Sequence, residues 1–264
     1  MIKETSSATR LGQPPKLMTF APMIDSELSR LVLDHHDIAY QEVDHLFGWV
    51  SLLTLAHGGY GRIPILYGRG VHLTAPRPIA EHYDRNALPE KKLIPSSGSA
   101  RAFMEKGWDL CNGQMAHDTA VVAYYHLLSQ RELMIEVFSR RIPKLEVTLL
   151  PYVYGALKGL FTLLLQLSAD QALASLAKVR SQFAQTDAML AHGAPFLDGE
   201  RRTLADLALA SAAAPLVMPD HYGAALPSFD QMPPELKAII ESLRGSRTAR
   251  FVQDFYKSQT SPLL

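Results

Sequence analysis

The sequence predicts a small α/β domain followed by an all-helical domain. Strand and helix patterns alternate between residues 16 and 84, whereas apolar residues beyond residue 100 recur at helical spacing only. The chain has 264 residues, 47% of them apolar, which is enough for two modest cores. We therefore expect two domains, at residues 15–86 and 100–264, joined by a linker at 87–99.

The elements of the first domain follow the order βαβαββα. KLMTF and the alternating IAYQEVD predict two strands, with a helix between them over SELSRLVLDHHD. A short helix over 49–56 precedes the glycine-rich turn HGGYG. The strands RIPILY and VHLT then flank the turn GRG, and a helix over 77–84 closes the domain.

The segment 87–99 combines proline, glycine, serine and charge without an apolar period, which is typical of a linker. The chain beyond it predicts helices throughout. These cover residues 100–128, 132–138, 145–167, 169–192, 204–217, 234–243 and 248–258.

Composition excludes several classes of partner. The 26 Lys and Arg balance the 26 Asp and Glu without any basic block, so we expect no nucleic-acid partner. Cys111 is the only cysteine, which excludes an intramolecular disulfide and a thiolate-rich metal site. No histidine spacing suits a metal, so we expect none. The start of the chain lacks the apolar core of a signal peptide, which indicates the cytoplasm.

The apolar stretch 147–167 leaves two interpretations open. It is long enough to cross a bilayer. Pro151, Lys158 and two glycines, together with the lack of a flanking basic cluster, favour instead a buried helix bent at the proline. We expect no membrane partner.

Three local patterns resemble one family. GRIP at 61–64 resembles a G-x-V-P signature, and FLDG at 196–199 with TLAD at 203–206 resembles an FLxG…TxAD helix start. The run 234–256 is similar to the ending of many bacterial members. Together with the order of elements, they make the chain resemble the cytosolic glutathione S-transferase superfamily. The resemblance implies a thioredoxin-like first domain, a glutathione co-substrate and a homodimer.

The resemblance also implies positions for glutathione. Pro64 would follow a cis peptide bond, and Ile63 would offer its backbone to the cysteinyl part of glutathione. Counting back from the second strand puts the catalytic hydroxyl on Ser26, at the start of the first helix. There it could stabilise a thiolate, or it could only cap the helix.

The chain departs from the family at the start of the third helix. Ala75 and Pro76 stand where members carry an acid and a serine that hold the glutamyl part of glutathione. Two lost charge-assisted hydrogen bonds, at about 1.5–3 kcal/mol each, would weaken glutathione by about two to four powers of ten. Arg77 could compensate as a carboxylate clamp.

In the family the acceptor substrate lies against the first long helix of the second domain. Asn112 and Tyr124 are the polar candidates there, and Cys111 is expected to be a buried apolar side chain. The leading hypothesis is an enzyme that activates glutathione for attack on a hydrophobic electrophile. The alternative is a non-catalytic protein of the same superfamily that binds a small molecule and has lost tight glutathione binding.

Overall fold

A computed structural model describes residues 13–190, 193–199 and 201–259. In these ranges a four-stranded sheet with three helices is followed by a part that is entirely helical, which confirms the predicted fold class. His192, the end of one predicted helix, and residues 260–264 lie outside the described residues. The domain boundaries stay predictions.

The sheet has the strand order β2-β1-β3-β4, with β1 parallel to β2 and the other two pairs antiparallel. The buried Leu28 and Val32 pack helix α1 into the core. The elements of this domain are β1 (Lys16–Thr19), α1 (Ile24–His35), β2 (Gln41–Asp44), α2 (Trp49–Ala56), β3 (Ile65–Gly68), β4 (Val71–Thr74) and α3 (Pro76–Asp84).

The helical part is built around a helix that is buried along nearly its whole length, α9. Asp206 fixes its start by accepting hydrogen bonds from the Thr203 amide and from the Leu197 amide, both at 2.7 Å. The helices are α4 (Gly98–Trp108), α5 (Ala116–Leu127), α6 (Arg131–Ser139), α7 (Lys144–Leu164), α8 (Ala169–Met189), α9 (Leu204–Val217), α10 (Pro234–Arg244) and α11 (Arg247–Lys257).

The helix predicted over 100–128 is interrupted. A π-helical segment, Asp109–Met115, separates α4 from α5. In a π-helical turn each backbone hydrogen bond spans one residue more than in an α-helix, and such turns are frequent at functional sites. Asn112 lies in this segment, and Cys111 beside it is fully buried, as predicted.

Helix α7 is confirmed, but its predicted burial is wrong for most of its length. Pro151 lies inside the helix, yet only 22% of its most apolar window is buried. Tyr152 and Leu163 are 85% and 75% exposed. By length and composition alone, α7 is the one helix in the described ranges that could cross a membrane.

Candidate ligand-binding cleft

A cavity of about 390 Å³ lies between the two parts of the chain. The segment after β1 and the start of α1 form one wall, through Phe20 and residues 22–25. Helices α5, α6 and α7 supply most of the opposite wall, with small side chains such as Ala116 and Ala120 leaving the space open. The cavity is therefore built from both domains.

Aromatic rings from both domains meet at one side of the cavity. Phe161 of α7 lies with its ring centroid 5.8 Å from that of Phe20, 4.9 Å from Phe47 and 4.8 Å from Tyr124. Ring contacts at these distances favour a fixed arrangement of the four side chains. The result is an apolar, aromatic surface on one side of the cavity.

Helix α7 is fastened to the first domain by one buried carboxylate. Glu146 accepts a hydrogen bond from the Leu46 amide at 2.7 Å, and its other oxygen lies 2.5 Å from His45 Nδ1. These contacts hold the end of β2 against the start of α7. They place Phe161, four turns further along, against the cleft.

The polar side chains in the cavity are few. Asn112 Nδ2 donates to Asp25 Oδ1 at 3.0 Å, which joins the π-helical segment to the first turn of α1. Burial raises the pKa of Asp25, and the hydrogen bond from Asn112 offsets part of that rise. Burial also raises the pKa of Tyr124, so its phenol is neutral. His117 is the remaining polar side chain on α5 in the cavity wall.

The two predicted substrate-binding residues, Asn112 and Tyr124, both line this cavity. Ser26 does not. It lies in the first turn of α1 as expected, but it is 0% exposed and its Oγ has no hydrogen-bond partner among the described residues. Its catalytic role stays a prediction, and this burial does not favour it.

The implied glutathione positions lie outside the cavity wall. The Ile63–Pro64 peptide bond is cis, directly before β3, as the resemblance implies. Ala75 donates from its amide to Pro64 O at 3.1 Å and adopts φ 73° and ψ 156°, a conformation otherwise nearly restricted to glycine. Pro76 is the buried first residue of α3. Neither side chain offers a polar group to a ligand.

Arg77 is already occupied by protein carboxylates. Its two terminal nitrogens donate to both oxygens of Glu105 at 2.7 and 2.6 Å, and Nε donates to Glu81 at 3.1 Å. The Trp108 ring lies 5.7 Å from the guanidinium carbon. Arg77 thus joins α3 to α4 and has no free fork for a glutathione carboxylate.

Two residues of the cleft, Asp25 and Phe161, could not be recognised from the sequence. Asp25 precedes Ser26, and an acid in the first turn of a helix is ordinarily read as a favourable partner for the helix dipole. Phe161 falls in the apolar stretch that was expected to be buried core. Only the fold shows that both side chains reach the same cavity.

Comparison with known proteins identifies the fold. The sequence matches no protein-family model and no curated protein. A glutathione S-transferase from Xanthobacter autotrophicus Py2 has a TM-score of 0.58 at 15% identity, covering 95% of each chain. One from Sinorhizobium meliloti 1021 has a TM-score of 0.55 at 16% identity, covering 91% of this chain and 92% of that one.

A third similar structure, a glutathione transferase family member from Pseudomonas fluorescens Pf-5, holds two glutathione molecules. It has a TM-score of 0.52 at 14% identity and covers 93% of this chain and 95% of that one. The chain therefore has the glutathione S-transferase fold, as its motifs and its sheet order indicate.

Proposed function

We propose that the protein binds an apolar small molecule in the cleft between its two domains. The observation that carries this proposal is the cavity of about 390 Å³ with the aromatic cluster around Phe161 on one side. Its size lies within the range of small-molecule sites, about 300–1,000 Å³, and its wall is apolar apart from a few polar side chains. Enclosure by both domains removes a bound apolar molecule from water.

The residues around the implied glutathione positions favour binding over thiol activation. Ser26 is buried, Ala75 and Pro76 have no polar side-chain atoms, and Arg77 is held by two glutamates. At the start of the first helix the cavity is lined by Met23, Ile24 and Asp25, none of which has a hydroxyl or a thiol. A thiolate there would meet the carboxyl group of Asp25.

A neutral fluorescent probe tests the binding. N-phenyl-1-naphthylamine should bind with enhanced fluorescence, and Ala120→Phe, which fills part of the cavity, should weaken it by at least about tenfold. Ala156→Phe on the exposed side of α7 is the matched control and should leave binding unchanged. A probe affinity that is unchanged by Ala120→Phe would contradict the proposal.

Glutathione transfer is the second candidate function. The cis bond at Ile63–Pro64 favours it, because a proline there can leave the preceding backbone free to pair with an extended peptide. The similar Pseudomonas structure binds glutathione. Calorimetry with glutathione decides between the two functions. We expect a dissociation constant above about 1 mM for the unmodified chain. The double substitution Ala75→Glu with Pro76→Ser should tighten glutathione binding by at least about tenfold. Micromolar binding by the unmodified chain would favour the transferase.

A further inference from the structure

Asp25 differs from every other residue in the cavity wall. Among the described residues that line the cavity, it is the only one of the types Asp, Glu, Lys and Arg. The rest of the wall is apolar apart from Asn112, His117 and Tyr124. A single carboxyl group therefore sets the electrostatic character of an apolar site.

Among the described residues, no Lys or Arg side chain neutralises this carboxyl group. In the described part of the chain, no Lys or Arg lies within ion-pair distance of Asp25. Its hydrogen-bond partner is the neutral amide of Asn112, which donates to Oδ1 and leaves Oδ2 without a bond to the described residues. The carboxyl group is thus positioned by one partner and still has acceptor capacity.

The surroundings of Asp25 act on its charge in opposite directions. Its place in the first turn of α1 favours a negative charge through the helix dipole. Burial disfavours that charge, which is the main reason that its pKa is raised. A cation beside the carboxyl would remove the conflict, whereas an anion would increase it.

We propose that the cavity selects amphipathic amines: molecules with an apolar body for the aromatic cluster and one protonated nitrogen that pairs with Asp25. This inference rests on the proposed function and assigns its ligand class. Neutral molecules of the same shape bind through the apolar wall alone. Carboxylates and thiolates are disfavoured because they bring a second negative charge to Asp25.

Three ligands with one apolar body test the inference by calorimetry: 1-naphthylmethylamine, 1-naphthylmethanol and 1-naphthylacetate. The amine should bind at least about tenfold more tightly than the alcohol, and the acetate most weakly. Asp25→Asn should bring the amine to within about threefold of the alcohol and leave the alcohol unchanged. Asp109→Asn, the same change at an exposed residue outside the cavity wall, should leave all three affinities unchanged.

The outcomes separate the two proposals. Equal binding of amine and alcohol by the unmodified protein would overturn the amine inference and leave the binding function intact. A preference for the amine that survives Asp25→Asn would overturn it as well. Failure of all three ligands to bind would contradict the proposed function itself. The amine and the alcohol are also compared in the unmodified protein, so that result does not depend on whether the Asp25→Asn variant folds.

Discussion

Asp34 is an additional carboxylate next to a buried cluster of ion-paired side chains. Arg30 pairs with Glu27 and with Glu42, both at 2.7 Å, and Arg141 also contacts Glu42. Asp34 accepts no hydrogen bond through its side chain from the described residues. Burial, with the charges of Glu27 and Glu42, raises its pKa to about 6. Its negative charge is therefore a cost to the folded state at neutral pH.

Asp34→Asn should remove that cost and stabilise the protein. In the unfolded chain the pKa is about 3.9, so the folded state binds the proton more tightly, and the penalty grows as the pH rises from about 4 to above 6. After allowance for solvent screening, we expect a gain of about 1 kcal/mol near neutral pH that shrinks toward about pH 4.

Denaturant unfolding at several pH values measures this gain. The exposed Asp109→Asn is the control and should show no such pH-dependent gain. A gain from Asp34→Asn that is the same near pH 4 and near neutrality would show that ionisation is not its cause.

At the same scale, the sequence predicts which residues begin a helix better than where they point. Ser26 does lie in the first turn of α1, yet the cavity is reached by Met23, Ile24 and Asp25. Successive side chains on a helix differ by about 100° in direction, so the position of Ser26 next to Asp25 in the sequence does not show which of the two faces the cleft. Asn112 and Tyr124 were predicted from the resemblance, which places the acceptor substrate against the first long helix of the second domain, and not from helical spacing.

Among the elements, Gly107 determines how closely α4 packs on α9. A Cβ added at Gly107 would lie 2.8 Å from the Cβ of Ala205, inside van der Waals contact. Gly107→Ala is expected to lower the free energy of unfolding by about 1–2 kcal/mol, because overpacking outweighs the gain in helix propensity.

Gly155→Ala is the matched control for this change. A Cβ at Gly155, within α7, would meet no atom within 4 Å. Chemical denaturation should show a gain of up to about 1 kcal/mol from helix propensity. Equal effects of the two substitutions would mean that the contact with Ala205 is not what destabilises Gly107→Ala.

The elements themselves were largely predictable, since apolar periodicity and turn residues give their order. The capping pattern of Thr203 and Asp206 predicted the start of α9 correctly. The π-helical segment over Asp109–Met115 carries no periodic signal, because its extra residue is accommodated by packing between helices. The exposure of α7 could not be predicted either, because an apolar composition does not show whether another part of the chain covers the helix.

At the scale of the whole molecule, large apolar side chains are exposed on helices of both domains. Trp49 and Leu52 of α2 are 47% and 64% exposed, and Leu163 of α7 is exposed as well. The residue before α2 approaches α7, since a Cβ at Gly48 would lie 3.8 Å from Leu160 Cδ2. Exposed large apolar side chains that lie close together are characteristic of an interaction site.

We propose that a second copy of the chain covers this surface in a homodimer. A two-fold pair would bring the first domain of one copy against the second domain of the other. Light scattering should give twice the chain mass of 29.2 kDa, and Leu163→Glu should shift the protein toward that single mass. A single-chain mass at micromolar concentration would contradict the homodimer. A dimer mass that Leu163→Glu leaves unchanged would show that the interface lies elsewhere.

A crystal structure with 1-naphthylmethanol tests whether the cleft between the domains is a site for apolar small molecules. We predict electron density for the naphthyl ring inside the cavity, in contact with Phe20, Phe161 and Tyr124. Density along the backbone at Ile63–Pro64 with the cavity unchanged, or no bound ligand at saturating concentration, would contradict it.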